Sequence, residues 1–423
     1  MDVVDGSYLA AVTLAGCLAR AVVRGLPENW RLRLLAPGPE VRSSWVWVQA
    51  VSVGELMLAE GILGRLRDAG HRVHVTTGTA AGLDLLQRRL PGWDQGTGRI
   101  TGGAFPLDDP RGLEPFFRCP PSAYISLETE IWPNLLRRLR VAGIPACIVN
   151  GRLTRRSLGR GRAWMARAVS RLSLVAARDE ASVQSFRELG APLVALGGNL
   201  KADLPPPRPL HEGWRPLREA WAGDPVLVAG NTVETEEDLV LEAWSRTRAA
   251  HPRLRLVLAP RQPRRFQAAA DLLRARRLRF LRASEPWPEG PEPWAATDIL
   301  LLDTLGELAA AYGEGTLAVV GGGWGWQGGH NPLEPVVWGL PTLLGPGYAN
   351  FEDLVTPLLA AGMVRAVPAE QLGGALAAAL DGAVAGHSLR PGVRGRSAAL
   401  PEALSGALDK TWKLLADAIP GPR

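Results

Sequence analysis

Short runs of uninterrupted apolar residues alternate along this chain with longer stretches whose apolar positions recur at helical spacing. The runs Trp45–Ser52, Val73–Thr77, Ala123–Leu127, Ala146–Asn150, Leu172–Ala176 and Leu193–Leu196 are each followed by a loop with Gly, Thr or Glu, then by a helix-period stretch. Strands apolar on both faces and separated by helices are what a parallel sheet covered on both sides requires. Asp203–Pro216 breaks the pattern with five prolines and Gly213, a composition suited to a linker. The alternation then restarts with Val226–Ala229, Leu254–Ala259, Ile299–Leu302, Leu317–Gly321 and Thr342–Leu344. Ala283–Ala296, rich in Pro, Glu and Trp, reads as a loop, and Glu402–Ile419 as a last helix. The pattern predicts an α/β protein with two doubly wound, Rossmann-like domains. The expected divisions are an apolar N-terminal helix over 1–35, a first domain over 36–202, a Pro-rich linker over 203–220 and a second domain over 221–423 that includes the terminal helix. Such domains bind ligands at the carboxyl ends of their strands, here expected in a central cleft.

The N-terminal run Tyr8–Ala19 is apolar, but Arg20 and Arg24 end it short of the roughly 20 residues a membrane span needs. Its placements are a short amphipathic helix packed on the body, or a helix lying in a membrane interface with its arginines among the headgroups, with a true span as the remaining alternative. The composition, 46% apolar and 21% charged over 423 residues, excludes a disordered or collagenous chain. A net charge of +6 leans mildly toward anionic partners. The cations are 45 Arg and only three Lys, and Lys201 is the sole lysine before Lys410. A flexible ammonium is not equivalent to a planar guanidinium, so Lys201 marks a position of interest, with chance survival on the surface as the alternative. Three cysteines (Cys17, Cys119 and Cys147) are too few for a disulfide framework and fit a reducing compartment.

Several strand ends carry candidate chemistry. Gln49–Glu55 (Gln-Ala-Val-Ser-Val-Gly-Glu) leaves the first strand and places Glu55 at a helix start, where a carboxylate is favoured as a base or simply complements the helix dipole. Leu127–Asn134 (Leu-Glu-Thr-Glu-Ile-Trp-Pro-Asn) carries Glu128 and Glu130, costly to bury unpaired. Continued strand geometry would point them in different directions, one toward ligand and the other toward a structural partner. Gly197–Asp203 contains Lys201. In the second half, Ala229–Thr232, Ala259–Phe266, Asp303–Leu308 and the Gly-rich run Val320–Pro335 follow strands in the same way. Gly-rich turns ahead of helices can close backbone N–H groups around a phosphate, with Asn331 and Pro332 expected as N-cap and first helical residue. No metal-ligand spacing is present: His71 and His74 bracket a strand, and Asp108 and Asp109 are adjacent. Gly151–Arg171 holds seven arginines and no acid, which suits a solvated helix face or a surface for anionic headgroups. No nucleic-acid module accompanies it.

Taken together, Ser-Val-Gly-Glu55, Glu-Thr-Glu-Ile-Trp-Pro-Asn134, Val-Asn-Gly-Arg152, Gly-Asn-Leu-Lys201, Pro-Arg261, Asp-Thr-Leu-Gly-Glu307 and Gly-Gly-His-Asn-Pro-Leu-Glu334 resemble the 3-deoxy-D-manno-octulosonic acid (Kdo) transferase family, in that family's order, from about Trp45 to Phe351. The resemblance implies a GT-B fold with its terminal helix crossing back to the first domain. It implies an inverting, metal-independent transferase without cofactor, with CMP-Kdo as donor and a lipid A precursor as acceptor. The implied place is the cytoplasmic face of the inner membrane, peripheral or N-terminally anchored. Carried over, Glu55 is the base, and Glu128 (with Glu130 as alternative) and Lys201 stabilise the transition state. Ser52, Gly54, Glu130 and Arg152 lie on the acceptor side. Asn231, Pro260, Arg261, Gly306, Glu307, Leu308, Asn331, Pro332, Leu333 and Glu334 hold CMP. The chain departs from the family pattern at Gln49 and Gln262, where the family usually has His, and at Asn231 and Gly323, where it usually has Ser. These departures bear on substrate identity, so transfer from another nucleotide sugar, or to a different acceptor, stands as an alternative. A sugar-nucleotide epimerase and a catalytically silent binding protein on the same architecture are two more.

Overall fold

The structure, a computed structural model, describes residues 3–40, 44–153, 162–204, 210, 212–288, 290, 292–325, 328–385 and 400–422. Its contacts divide into two units, Met1–Leu204 with Gly406–Arg423, and Pro205–Ser405. The first unit holds a seven-stranded parallel sheet of β1 (Val46–Gln49), β2 (Val73–Thr77), β3 (Ile100–Ala104), β4 (Ala123–Leu127), β5 (Ala146–Gly151), β6 (Leu174–Ala177) and β7 (Val194–Leu196), in the order β3-β2-β1-β4-β5-β6-β7. The second holds β8 (Val226–Thr232), β9 (Arg255–Pro260), β10 (Phe280–Arg282), β11 (Ile299–Leu301), β12 (Leu317–Val320), β13 (Thr342–Leu344) and β14 (Val364–Ala366), in the order β10-β11-β9-β8-β12-β13-β14. Strand order reverses between β1 and β4, and again between β8 and β12. These are the points where adjacent loops part and leave room for ligand.

Three strands were not expected, β3, β10 and β14. All are edges. Their residues (Ile-Thr-Gly-Gly-Ala, Phe-Leu-Arg and Val-Arg-Ala) are only partly buried, so the continuous apolar signature of an inner strand is missing. β1 is shorter than the expected Trp45–Ser52, because Ser52 already caps the next helix.

The tryptophans build much of both cores. Trp47 stacks on Phe116 (centroids 4.5 Å apart), and its indole N–H donates to Thr76 Oγ1 (2.7 Å). In the second unit Trp214, Trp221 and Trp294 are fully buried together, and Trp221 Nε1 donates to the Trp294 carbonyl (3.0 Å). Two expected irregular segments are therefore structured in part. Ala283–Ala296 contains the short helix Glu292–Ala295, and the linker range contains the helix Arg215–Ala220. Burial of Trp294, Trp214 and Leu217 explains both, since each fills core that the loop reading left open. Prolines 205, 206, 207 and 209 lie outside the described residues, as do 154–161 of the Arg-rich stretch.

Both ends of the chain pack on the first unit. The terminal helix Ala407–Ala418 falls in the range 221–423 by sequence position but crosses back to the first unit, as the family resemblance implies. Its buried Ala407 and Leu415 join the core on the side of β5 and β6, and Asp203 accepts hydrogen bonds from the Gly406 and Leu408 amides (3.2 and 2.5 Å). At the other end, the Val3–Ala21 helix is clamped by Arg20, whose Nη1 and Nη2 donate to Asp109 (2.5 and 2.9 Å), and by Tyr8, whose hydroxyl donates to Asp108 Oδ2 (3.1 Å). Gly16 allows this approach: a Cβ there would run into the Asp109 carboxylate. The opposite face exposes Leu14, Leu18 and Val22, continued by Trp30 and Leu35. No described helix is long and apolar enough to cross a membrane.

Candidate functional site

In the first unit the site gathers at the reversal between β1 and β4. Glu55 lies in the first turn of the helix Val53–Asp68, in a capping box with Ser52. The Glu55 amide donates to Ser52 Oγ (3.3 Å), the Ser52 hydroxyl donates to Glu55 Oε1 (3.2 Å), and the Val51 amide donates to Glu55 Oε2 (2.6 Å). The capping role and the position at the site thus coincide in one residue. Gly54 is exposed, and a Cβ there would meet only Ser52 Oγ at 3.8 Å, so sterics do not demand glycine.

Glu128 follows β4 with φ +55°, while its amide still donates to the Val149 carbonyl (2.9 Å). That left-handed residue ends the strand alternation. Glu128 and Glu130 are therefore not sent to separate environments: the charge of Glu128 acts on Glu55, and the charges of Glu55 and Glu128 act on Glu130. The intervening Thr129 hydroxyl donates to the Arg152 carbonyl, so Arg152 supports the loop through its backbone. Lys201 Nζ lies 3.6 Å from Glu128 Oε1. Its short helical turn is pinned by Asn150 Oδ1, which accepts from the Leu200 amide (3.0 Å), and by Asn199 Oδ1, which accepts from the Lys201 amide (3.1 Å).

Burial pushes the Glu55 carboxyl up to about 7; the charge of Glu128 adds to the shift, while the Val51 amide, Ser52 and Lys201 oppose it. Burial and the charge of Glu55 push Glu130 up to about 7 as well, opposed by Arg33. Gln49, expected near substrate, is instead fully buried within the sheet, where its Oε1 accepts from Thr76 Oγ1 (2.5 Å). Sequence reading passed over Arg33, one arginine among 45, and Asp108, set aside only as half of an adjacent acid pair.

In the second unit a cavity of about 990 Å³ opens at the ends of β8 and β9, lined among others by Thr232, Arg261, Gln262, Arg264, Arg265 and His330. Pro260 ends β9, and the Arg261 amide donates to the Thr232 carbonyl (2.9 Å), tying the two strand ends together. Arg265 is committed to Glu237 (3.1 Å) and Glu234 (3.7 Å). Gln262 Oε1 accepts from Arg264 Nε (2.6 Å), which orients a second guanidinium on the cavity wall beside Arg261. Gln262 thus does lie at the candidate donor site.

The buried Glu236, also missed, accepts from the amides of Val233 (3.1 Å), Gly322 (2.7 Å) and Trp324 (2.9 Å) and so holds the Gly-rich turn after β12. Glu236 was hidden among ordinary helix-start acids. Gly323 is explained by packing: a Cβ would come within 2.8 Å of Gly345 Cα, so the serine usual in the family has no room. His330 Nδ1 lies 2.9 Å from the Gly321 carbonyl, which can only accept, so this nitrogen carries the proton. Burial holds the ring below the usual histidine range, and the charge of Arg261 adds to that, keeping it neutral at pH 7.

The remaining donor candidates are not among the residues that line this cavity, although Asn231 and Asn331 adjoin Thr232 and His330 in sequence. Asn231, in β8, has φ +58°. Gly306 has φ +91° and precedes Glu307, which accepts from Trp214 Nε1 (3.1 Å) and from the Thr304 hydroxyl, with Leu308 opening the next helical turn. Asn331 Oδ1 accepts from the Leu333 amide (3.2 Å), and the short helix begins at Leu333 rather than at Pro332, with Glu334 in its first turn. Among the described residues, no group of three or more His, Cys, Asp or Glu is placed to hold a metal ion.

Two measurements test this geometry. Unfolded Glu titrates near 4.5, whereas Glu55 and Glu130 are held near 7, so between those values the folded state binds more protons. The stability of the first unit is therefore expected to fall as pH rises from about 5 to about 7. Urea unfolding should show this fall flattened in Glu130→Gln, and an unchanged slope would contradict the placement of Glu130. In the second unit Thr235, β-branched and exposed, has φ +75° just before the helix Glu236–Arg248. Relief of that conformation by Thr235→Gly is expected to stabilise the unit by about 1 kcal/mol. Calorimetry showing a lowered transition would be the opposite result.

Comparison with known proteins agrees with the motifs. A family model described as 3-deoxy-D-manno-octulosonic-acid transferase (kdotransferase) matches residues 28–204. The 3-deoxy-D-manno-octulosonic acid transferase of Haemophilus influenzae is 33% identical over 323 residues, 74% of this chain and 73% of that protein. The transferase of the same name from Bordetella pertussis is 34% identical over 344 residues, 79% and 78% of the two chains. Among solved structures, the UDP-GlcNAc 2-epimerase of Neisseria meningitidis bound to UDP-GlcNAc aligns over 88% of this chain and 98% of its own, with a TM-score of 0.54 and 13% identity, which shows the shared fold alone. Two parallel Rossmann-like sheets, seven motifs in order and identity to these relatives at a third of the aligned positions place the chain in the Kdo transferase family of GT-B glycosyltransferases.

Proposed function

We propose that the protein transfers Kdo, or a related ulosonic acid, from its CMP-activated form to a lipid A precursor, by inverting displacement and without a metal ion. The observation that carries this reading is Glu55: a half-buried carboxyl held at about 7, at the sheet's reversal point, beside Glu128 and Lys201. A base is most effective when its proton affinity lies near the working pH. Two lone pairs of the carboxylate are occupied by the Val51 amide and the Ser52 hydroxyl, and others remain to take a proton. Glu55 removes the proton of the acceptor hydroxyl as its oxygen attacks the anomeric carbon. The bond to the CMP phosphate oxygen breaks on the opposite side, which inverts the centre. Lys201, oriented through Glu128, offsets the negative charge that gathers around the base.

Donor binding belongs to the second unit. Arg261, Arg264 and the N-terminus of the helix Pro263–Ala275 converge on its cavity wall. CMP departs with one phosphate, whose charge guanidinium groups and helix amides can meet. The neutral His330 suits hydrogen bonding to sugar or ribose hydroxyls. Glu55→Gln is expected to lower turnover by roughly 10²- to 10⁴-fold while calorimetric CMP affinity stays unchanged. Retained turnover would sink the base assignment. CMP release that needs no acceptor would replace transfer with epimerisation or hydrolysis.

The acceptor side also accounts for the outer face of the N-terminal helices, where exposed Leu14, Leu18, Val22, Trp30 and Leu35 accompany exposed Arg24 and Arg31. Apolar residues interleaved with cations suit the interface of an anionic membrane. Co-sedimentation with vesicles containing phosphatidylglycerol is expected for the wild type and lost in Leu14→Ser with Leu18→Ser. Unchanged binding in that double variant would move the membrane contact elsewhere.

A further inference from the structure

The cavity of the second unit is shaped by a carboxylate that is not among the residues lining it. Glu236, only 1% exposed, opens the helix Glu236–Arg248 shortly after β8. Its Oε2 accepts from the amides of Val233 (3.1 Å) and Gly322 (2.7 Å), and its Oε1 from those of Trp324 (2.9 Å) and Gly325 (3.4 Å). A carboxylate offers about four acceptor positions, so these amides fill it. Two loops meet on this one side chain: the loop after β8, whose Val233 and Glu234 line the cavity, and the turn after β12, whose Gly325 does. The turn is seated closely, since a Cβ on Gly321 would come within 2.6 Å of both Glu236 Oε2 and the Asn231 carbonyl oxygen. Other bonds anchor it as well. Trp324 Nε1 donates to the Val367 carbonyl (2.7 Å), and the Gly321 amide donates to the Gly230 carbonyl (2.9 Å). Glycine-rich turns can close their amides on a phosphate, but here a side chain of the protein occupies them.

We infer that Glu236 is a positioning residue for the nucleotide donor: its carboxylate takes the amides of the glycine-rich turn, joins that turn to the β8 loop as one cavity wall, and leaves the donor's phosphate to Arg261 and Arg264. This rests on the donor site lying in the second unit. Glycine loses more conformational freedom on ordering than any other residue. A turn containing Gly321, Gly322, Gly323 and Gly325 would weaken donor binding if it had to be ordered at that moment, and a turn held beforehand does not. A phosphate brought to the same amides would find them occupied and would face a like charge. Arg261 and Arg264 stand on the same cavity, on the loop and helix that follow β9. The next acid, Glu237, holds Arg265 (3.1 Å), so the start of one helix fixes the β8 loop, the glycine-rich turn and the arginine wall together.

The test is Glu236→Gln in the full chain. The amide side chain keeps one acceptor oxygen but turns an NH2 group toward backbone N–H donors, so one pair of hydrogen bonds is lost. The calorimetric Kd for CMP and the KM for the CMP-sugar donor are expected to rise about tenfold, with kcat and the acceptor KM unchanged. Hydrogen exchange should quicken at one or both of Gly322 and Trp324, while exchange in β8 and β12 holds. A purely structural role would instead speed exchange throughout the second unit, in step with a lower melting temperature, and leave the CMP affinity of the folded variant unchanged; that result overturns the inference. Should Glu236→Gln not fold, the wild type decides: its Gly322 and Trp324 amides are expected to exchange slowly before CMP is added. Fast exchange in the free protein overturns the inference, whether or not CMP then slows it. A wild type that binds no CMP removes the donor reading itself. That outcome is distinct from a wild type that binds CMP and a variant that binds it equally well, which removes only the role of Glu236.

Discussion

Carboxylates withdrawn from water at the end of a parallel sheet dominate this protein. A buried acid must be neutralised, paired or given amide donors. The first unit uses all three solutions within one neighbourhood. Asp108 and Asp109 accept helix-start amides and clamp the N-terminal helix, Glu128 faces Lys201, and Glu55 and Glu130 are left with proton affinities near neutrality. What is costly for stability at pH 7 is useful to a base, and the same burial produces both effects.

The two sheets solve a common problem by the same means. At a point of strand reversal the chain must leave the sheet and turn at once into a loop that faces ligand. Glu128 and Asn231, at the ends of β4 and β8, take the left-handed conformation to do so, and Asn150 takes it at the end of β5 beside β4. Each turn is then held by a side chain that binds backbone. Asn150 pins the Lys201 turn, and Glu236 pins the glycine-rich turn after β12. Rigid loops of this kind keep functional groups in place before substrate arrives, which is where electrostatic catalysis finds most of its advantage.

Much of this was legible in the order of residues. Inner strands announce themselves because both faces are buried and nearly every position is apolar. The edge strands β3, β10 and β14 stayed hidden because one side faces solvent and admits Thr, Gly and Arg. Glu55, Lys201 and Arg261 stood out through motif and scarcity. Arg33 and Glu236 did not, since an arginine among 45 and an acid at a helix start carry no local mark. Their roles come from partners far along the chain: Trp132 for one, and the amides of Gly322 and Trp324 for the other.

The sequence by itself determined the fold class, the family and the kind of chemistry, because periodicity and short motifs are local properties that survive without knowledge of contacts. Tertiary structure alone decided that Glu128 and Glu130 share one electrostatic neighbourhood, that the final helix packs against β5 and β6 and that Gln49 faces the core rather than a ligand. These outcomes turn on a single left-handed residue, on matching apolar faces and on which side of a strand a side chain emerges. Each depends on what another part of the chain presents across a few ångströms, and the linear order of residues does not encode that distance.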